Sequence, residues 1–292
     1  MLDARDYTIG WICALPTENL AARIFLDEEH GQPEWRSPND TNSYLLGTMG
    51  RHNVVIGVLP RGEYGTASAA GVAINMLRSF PNVKIGLMVS IGGGAPRLPN
   101  RDISLSDVVV SCPENGYGGV FQYDFGKSIQ EKKFQYTRAP DQPPQALLTA
   151  IAGLQTYHEI EGNRLLEMVN EVLESTPRLK RKYGRPLPGT DLLFKSDFVH
   201  AGGSCASCCG QDSEKVIRRP AREPDINDDP AVHYGTIASG NTLMKDAILR
   251  DALADKKNML CFDMEAAGLK NRFPCLIIRG IYDYSDSHKS KE

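Results

Sequence analysis

Short apolar runs recur along the chain, each bounded by Gly, Pro, Asn or charge. Residues 8–14 form the first run and predict a buried strand. Pro16 then opens a helix, because Pro suits a first turn and the residues from Asn19 onward have helical propensity. Residues 43–47 and 53–59 predict a strand pair around a turn at Gly50. Residues 62–70 form a Gly-punctuated turn into a small-residue helix that runs to Leu77 or Phe80. Residues 83–91 predict a strongly apolar strand that stops at Gly92-Gly93-Gly94. Further strands are expected at 107–111, 233–238, 259–262 and 275–281. A helix is expected from about Thr242 to Ala254, and a short one at 264–270.

Strands alternating with helices predict an α/β domain around a mixed, largely buried sheet. Residues 112–232 carry little strong strand signal. Within them, 145–175 predict two helices, with Leu147, Leu148, Ile151 and Leu154, then Leu165, Leu166, Val169 and Val172, at helical spacing. Residues 201–230 are rich in Gly, Ser, Cys, Pro and charge and predict a long loop. Residues 1–292 are read as one domain, with 112–232 as its elaboration.

With 41% hydrophobic and 24% charged residues, membrane, collagen-like, fully disordered and disulfide-scaffold classes are excluded. The 33 basic and 36 acidic residues leave a net charge of -3, which argues against a nucleic-acid binder. The start of the chain carries Asp3, Arg5 and Asp6 and does not read as a signal peptide, and no apolar run is long enough to cross a bilayer. A cytoplasmic protein with reduced cysteines is expected.

Four segments could carry chemistry. Gly92-Gly93-Gly94 stands at the carboxyl end of a predicted strand, where α/β sheets bind ligands. It matches neither the dinucleotide nor the Walker pattern, so a tight turn is an equal alternative. Phe262-Asp263-Met264-Glu265-Ala266-Ala267-Gly268 brings two acids to a strand-to-helix corner. Asp263 suits a helix N-terminus, whereas Glu265, followed by small residues, suits a carboxylate in a cavity. Arg279-Gly280-Ile281-Tyr282-Asp283 places Asp283 just past the last apolar strand, where a solvated acid is the plain alternative. His200, Cys205, Cys208, Cys209 and His233 have partial zinc-ligand spacing, but a second clean pair is missing and a loop with free thiols is the simpler reading.

The first three segments, together with Ile9-Gly10-Trp11-Ile12-Cys13-Ala14-Leu15-Pro16-Thr17-Glu18 and His233-Tyr234-Gly235 through Ser239-Gly240, stand in a familiar order. The chain resembles the purine nucleoside phosphorylase and methylthioadenosine nucleosidase superfamily over nearly its whole length. It is most like the fungal branch found at the N-terminus of NLR-like proteins. The resemblance implies a three-layer α/β/α sandwich with a mixed, partly barrel-like sheet, and cleavage of the N-glycosidic bond of a purine nucleoside. It implies that Asp283 is the general acid at purine N7 and that Glu265 and Met264 hold the ribose. It places Ser239, Gly240, Leu243 and Met244 at the base pocket, Gly92 and Gly93 beside the substrate, and Glu18 on the attacking water. For Glu18, a first-turn acid complementing the helix dipole is the plain alternative. The chemistry suits these types, because an oxocarbenium-like sugar and an anionic purine call for a carboxylate and a proton donor.

Phosphorylases need a cationic cradle, usually with Arg. The loop Ala14-Leu15-Pro16-Thr17-Glu18 has an acid instead, Val89-Ser90-Ile91 has no Arg, and Gly93 stands where the family often has Ser. A nucleosidase is therefore favoured, with Arg61 as the one residue that could supply a phosphate cation. A phosphorylase or a nucleoside-sensing module is the alternative. No cofactor or metal is expected. The expected partner is a small purine nucleoside, with no nucleic acid or membrane, and a homo-oligomer fits relatives that complete their pockets across a dimer. The fungal pattern also continues into an amphipathic helix beyond the point where this sequence stops, and loss of that helix would loosen the loop at Asp283.

Overall fold

A computed structural model describes residues 2–131, 134–137, 142–186, 188–200, 214–220, 222, 228–270 and 272–288. The apolar runs form a ten-stranded mixed sheet. β1 (Ile9–Cys13) lies between β4 (His52–Val58) and β5 (Ile85–Gly94), parallel to both. β3 (Tyr44–Met49) pairs antiparallel with β4 across the turn at Gly50, whose φ of 60° favours glycine. β2 (Glu28–His30) edges β3.

On the other side, β5 runs parallel to β12 (Cys275–Asp283). β12 is antiparallel to β6 (Val108–Ser111), which is parallel to β10 (Val232–Ser239). β10 is parallel to β11 (Met259–Asp263), and β11 returns antiparallel to β5 through Cys261–Gly94 and Phe262–Gly93. Five strands thus close into a barrel-like ring.

That closure corrects one expectation. β5 does not stop at Gly92 but continues through Gly94, because the glycines are wedged between two neighbouring strands. A Cβ on Gly92 would lie 3.1 Å from the Phe262 carbonyl oxygen. Close strand approach, not a turn, is what glycine serves here.

Helices cover both faces. α2 (Thr66–Ser79) buries Ala69, Val72, Ala73 and Met76 in the same core as Ile12, Leu46, Val55 and Met88. α7 (Ala266–Leu269) joins that core through Ala266, Ala267 and Leu269. α1 (Pro16–Ile24) sets Ala22 against Cys13, Val54 and Ile56. α3 (Gln145–Glu161) packs Ile151 with Val110 and Leu276. The architecture is the expected three-layer α/β/α sandwich around a mixed, partly closed sheet.

The stretch 112–232 supplies α3, α4 (Leu165–Ser175) and α5 (Pro177–Tyr183). It also supplies β7 (Val120–Gln122), paired to β10, and a two-stranded ribbon of β8 (Gly126–Lys127) and β9 (Gln135–Tyr136). The helix expected from Thr242 begins later, as α6 (Ala247–Lys257), because Asp246 caps it by accepting from Leu249 N at 3.0 Å. Among the described residues, no helix is long and apolar enough to cross a membrane.

Packing across β1, β5 and β12 leaves no room at Gly86. A Cβ there would lie 2.4 Å from the Phe273 ring and 2.8 Å from Cys275 Cβ. Gly86→Ala is expected to destabilise the fold by about 1–3 kcal/mol in urea unfolding. An unchanged midpoint would show that the ring moves aside freely.

Candidate active site

β12 runs parallel to β5, and β11 crosses the end of β5 antiparallel at Gly93 and Gly94, so the ends of β5, β11 and β12 meet at one edge of the ring. A cleft opens there, lined by Gly93, Met244, Phe262, Met264, Asp283 and Ser285, with Thr242, Leu243 and Asp263 completing it. No lysine or arginine is among these described lining residues. Leu243 and Met244 therefore reach the cleft from the segment before α6, not from a helix as expected.

Arg279 stands behind the cleft on β12 with its side chain fully enclosed. An unpaired guanidinium could not be buried there, because the desolvation cost is several kcal/mol. Asp263 Oδ2 accepts a short hydrogen bond from Nη2, and Glu265 Oε2 lies 3.8 Å from the same nitrogen. Arg279 Nε and Nη1 reach no hydrogen-bond acceptor among the described residues. Glu265 Oε1 accepts from Gly65 N at 3.4 Å. Burial pushes the Glu265 carboxyl up; Arg279 opposes the shift and Asp263 reinforces it. Asp263 also accepts from Ala266 N at 3.2 Å, holding the start of α7.

Asp283 ends β12, largely buried, opposite Gly93 in register. Its Oδ1 accepts from Ser285 N at 2.8 Å. Ser285 has φ of 53°, a left-handed conformation that costs about 1–2 kcal/mol for a residue with a side chain. A Cβ on Gly93 would lie 2.1 Å from Ser285 Oγ and 2.7 Å from Asp283 Oδ1. The room a serine would need at position 93 is thus taken by the hydroxyl of Ser285. Tyr284 is buried beside the acid, whereas Tyr282 is half exposed.

Glu18 lies outside the lining. Its Oε2 accepts from Ala14 N at 2.7 Å and Leu15 N at 2.9 Å. Its Oε1 accepts from Ser90 Oγ at 2.6 Å and Ile91 N at 3.0 Å. The carboxylate therefore ties the end of β1 to β5, and its electrostatic influence reaches both Glu265 and Arg279.

The other expected residues are placed as follows. Ser239 is fully enclosed, and its hydroxyl accepts from Ala267 N at 2.9 Å. Gly240 stands where a Cβ would lie 2.7 Å from the Tyr123 ring. Gly92 backs the cleft, with Arg279 Cβ 3.3 Å from where its own Cβ would be. Arg61 sits on an exposed turn outside the cleft lining. Cys205, Cys208 and Cys209 lie outside the described residues, among which no His, Cys, Asp and Glu group fit for a metal occurs. His233 is engaged elsewhere, with Nε2 2.8 Å from Asp107 Oδ2. Arg279 was within a recognised motif but carried no assigned role; a full enclosure of its charge has no signature in local sequence.

No family model matches the chain. Solved structures with the same fold include the futalosine hydrolase of Helicobacter pylori, at TM-score 0.55 and 14% identity, covering 97% of this chain and 88% of that one. They also include the 5′-methylthioadenosine/S-adenosylhomocysteine nucleosidase of Helicobacter pylori, at TM-score 0.54, 14% identity and the same coverage. The Streptococcus pneumoniae MTA/SAH nucleosidase matches at TM-score 0.54, 15% identity and again the same coverage. The chain thus shares the fold of these nucleosidases and this hydrolase.

In sequence, the chain is 42% identical over 291 residues to a nucleotide-binding leucine-rich repeat (NLR)-like protein of Hyaloscypha variabilis. It spans 28% of that relative's length.

The ion cluster generates a stability prediction. Arg279→Met removes one partner and strands two buried carboxylates, which is expected to cost about 3–5 kcal/mol in urea unfolding. A loss below about 1 kcal/mol would mean that the carboxylates do not depend on the guanidinium.

Proposed function

We propose that the chain is a purine nucleosidase that hydrolyses the N-glycosidic bond of an adenosine- or inosine-type nucleoside to free base and ribose. The observation that carries this reading is the pairing of Asp283, largely buried at the cleft wall, with a Glu265–Arg279 cluster directly behind Met264 and Asp263. The shared fold of enzymes named as nucleosidases and a hydrolase supports the reaction class.

In this reading the purine lies between Met244, Phe262 and Asp283, which offer apolar contact and one proton donor. Asp283 gives its proton to N7 as the C1′–N9 bond breaks and the bonding electrons pass to the base. Glu265 accepts from the ribose hydroxyls and opposes the positive charge that develops on the sugar. A water oxygen bonds to C1′, and its proton passes to the Glu18 carboxylate through Ser90.

Hydrolysis is preferred over phosphorolysis on charge. Arg279, behind the cleft, is already ion-paired with Asp263, and no lysine or arginine is among the described lining residues to hold a phosphate. The match to 28% of an NLR-like protein favours a second reading, in which the same pocket senses a nucleoside within a larger protein.

Asp283→Asn tests the assignment. Turnover of adenosine or inosine is expected to fall by about 10²–10⁴-fold with the fold intact. Unchanged turnover would remove Asp283 as the acid. Glu265→Gln is expected to raise KM for ribonucleosides more than for 2′-deoxyribonucleosides; equal effects on both would remove Glu265 from the ribose site.

A further inference from the structure

Tyr284 follows Asp283 and is held at its side chain and its backbone. Its hydroxyl donates to Asp191 Oδ1 at 2.5 Å and accepts from Leu105 N at 3.2 Å. Its carbonyl oxygen accepts from Arg250 Nη1 at 2.7 Å. The Arg219 guanidinium lies over its ring, 5.4 Å from the centroid. Arg250, almost fully enclosed, is itself fixed by Asp251 Oδ1 at 2.7 Å and Ser196 Oγ at 3.1 Å.

Asp191 and Arg219 come from the stretch 112–232, for which the sequence offered no role. They pair with each other at 2.7 Å. Arg219 also donates to Ser104 Oγ at 2.8 Å and to Asp102 Oδ1 at 3.3 Å. Arg222, three residues on, makes a two-pronged contact with Asp107, 2.6 Å on each side. Burial pushes Asp107 up, but Arg222, His233 and the N–H groups of Ser104 and Ala231 hold it down at about 2. Asp107 carries the ionised end of a loop that grips β12: Ile281 N donates to Asp107 O at 2.8 Å, and Ser106 N donates to Ile281 O at 2.9 Å.

The two arginines therefore bracket the end of β12. One anchors the loop on Ile281, before Asp283, and the other anchors Tyr284, after it. Asp283 lies between these fixed points, and directly after Tyr284 the chain takes the left-handed turn at Ser285 that returns its N–H to Asp283 Oδ1. A strained residue persists only where its surroundings over-determine it.

We propose that Asp191 and Arg219 are positioning residues: acting through Tyr284, their ion pair fixes the turn that aims the Asp283 carboxyl into the cleft. This rests on the reading of Asp283 as the acid. It gives the long elaboration a function at the site without requiring it to touch substrate. Proton transfer is sensitive to such aim, since a misplacement of about 1 Å can cost about 10²-fold in rate.

The test compares Tyr284→Phe, Asp191→Asn and the conservative Asp191→Glu with the unaltered chain. Two quantities are measured, nucleoside turnover and amide hydrogen exchange of the peptide covering residues 281–288. Tyr284→Phe and Asp191→Asn are expected to lower kcat at least about tenfold with KM within about twofold. Exchange at 283–287 is expected to rise about tenfold while β1 and β4 stay protected. Asp191→Glu is expected to recover part of both. Unchanged kcat and exchange would overturn the proposal. So would exchange that rises evenly across the sheet, which marks a merely structural role. If the unaltered chain turns over no purine nucleoside, the hydrolase reading falls by itself, and exchange at 283–287 still decides whether the ion pair fixes the turn.

Discussion

A single enclosed charge organises this fold. Arg279 lies on β12, inside the closed ring and shielded from solvent. A guanidinium there is tolerable only if carboxylates meet it, and they must arrive with good geometry. Asp263 comes from the end of β11 and Glu265 from the residue before α7. Strand order, ring closure and the short helix are thus tied together by one cluster. Glu18 extends its reach electrostatically to the end of β1. The requirement that these groups meet fixes which strand ends converge, and so where a cleft forms.

The cleft divides its work between two kinds of support. On the inner side, the arginine cluster sets charge and holds Glu265 in place. On the outer side, Asp283 depends on backbone geometry: a glycine opposite, a left-handed serine after it, and a tyrosine held by a neighbouring ion pair. Gly93 and Ser285 belong together physically, because a side chain on the first would occupy the position of the second's hydroxyl. Specificity in such a site comes from few polar groups set in apolar walls, here Phe262, Met244 and Met264.

Much of this was legible in the chain. β1, β4, β10, β11 and β12 are dense apolar runs, and buried strands of a largely parallel sheet read that way. The end of β5 was not, because three glycines lack strand propensity and only ring closure explains them. The start of α6 was misplaced because Asp246, not the preceding Ser-Gly-Asn turn, provides the cap. Motif order singled out Asp283 and Met264, which line the cleft, and Glu265, which stands behind that lining beside Arg279. The partners of Tyr284 were not, since Asp191, Arg219 and Arg250 are distant in sequence and converge only through tertiary packing. Glu18 was legible as a residue, but its four acceptor contacts depend on β1 and β5 being neighbours.

The most direct measurement is product analysis with and without phosphate. The full chain would be incubated with adenosine, inosine, guanosine and methylthioadenosine, and the sugar product identified. Free base and free ribose, or the corresponding 5-thio sugar, in phosphate-free buffer is the predicted result. Base release that requires phosphate and yields the sugar 1-phosphate would contradict it, as would no release of any base by a folded sample.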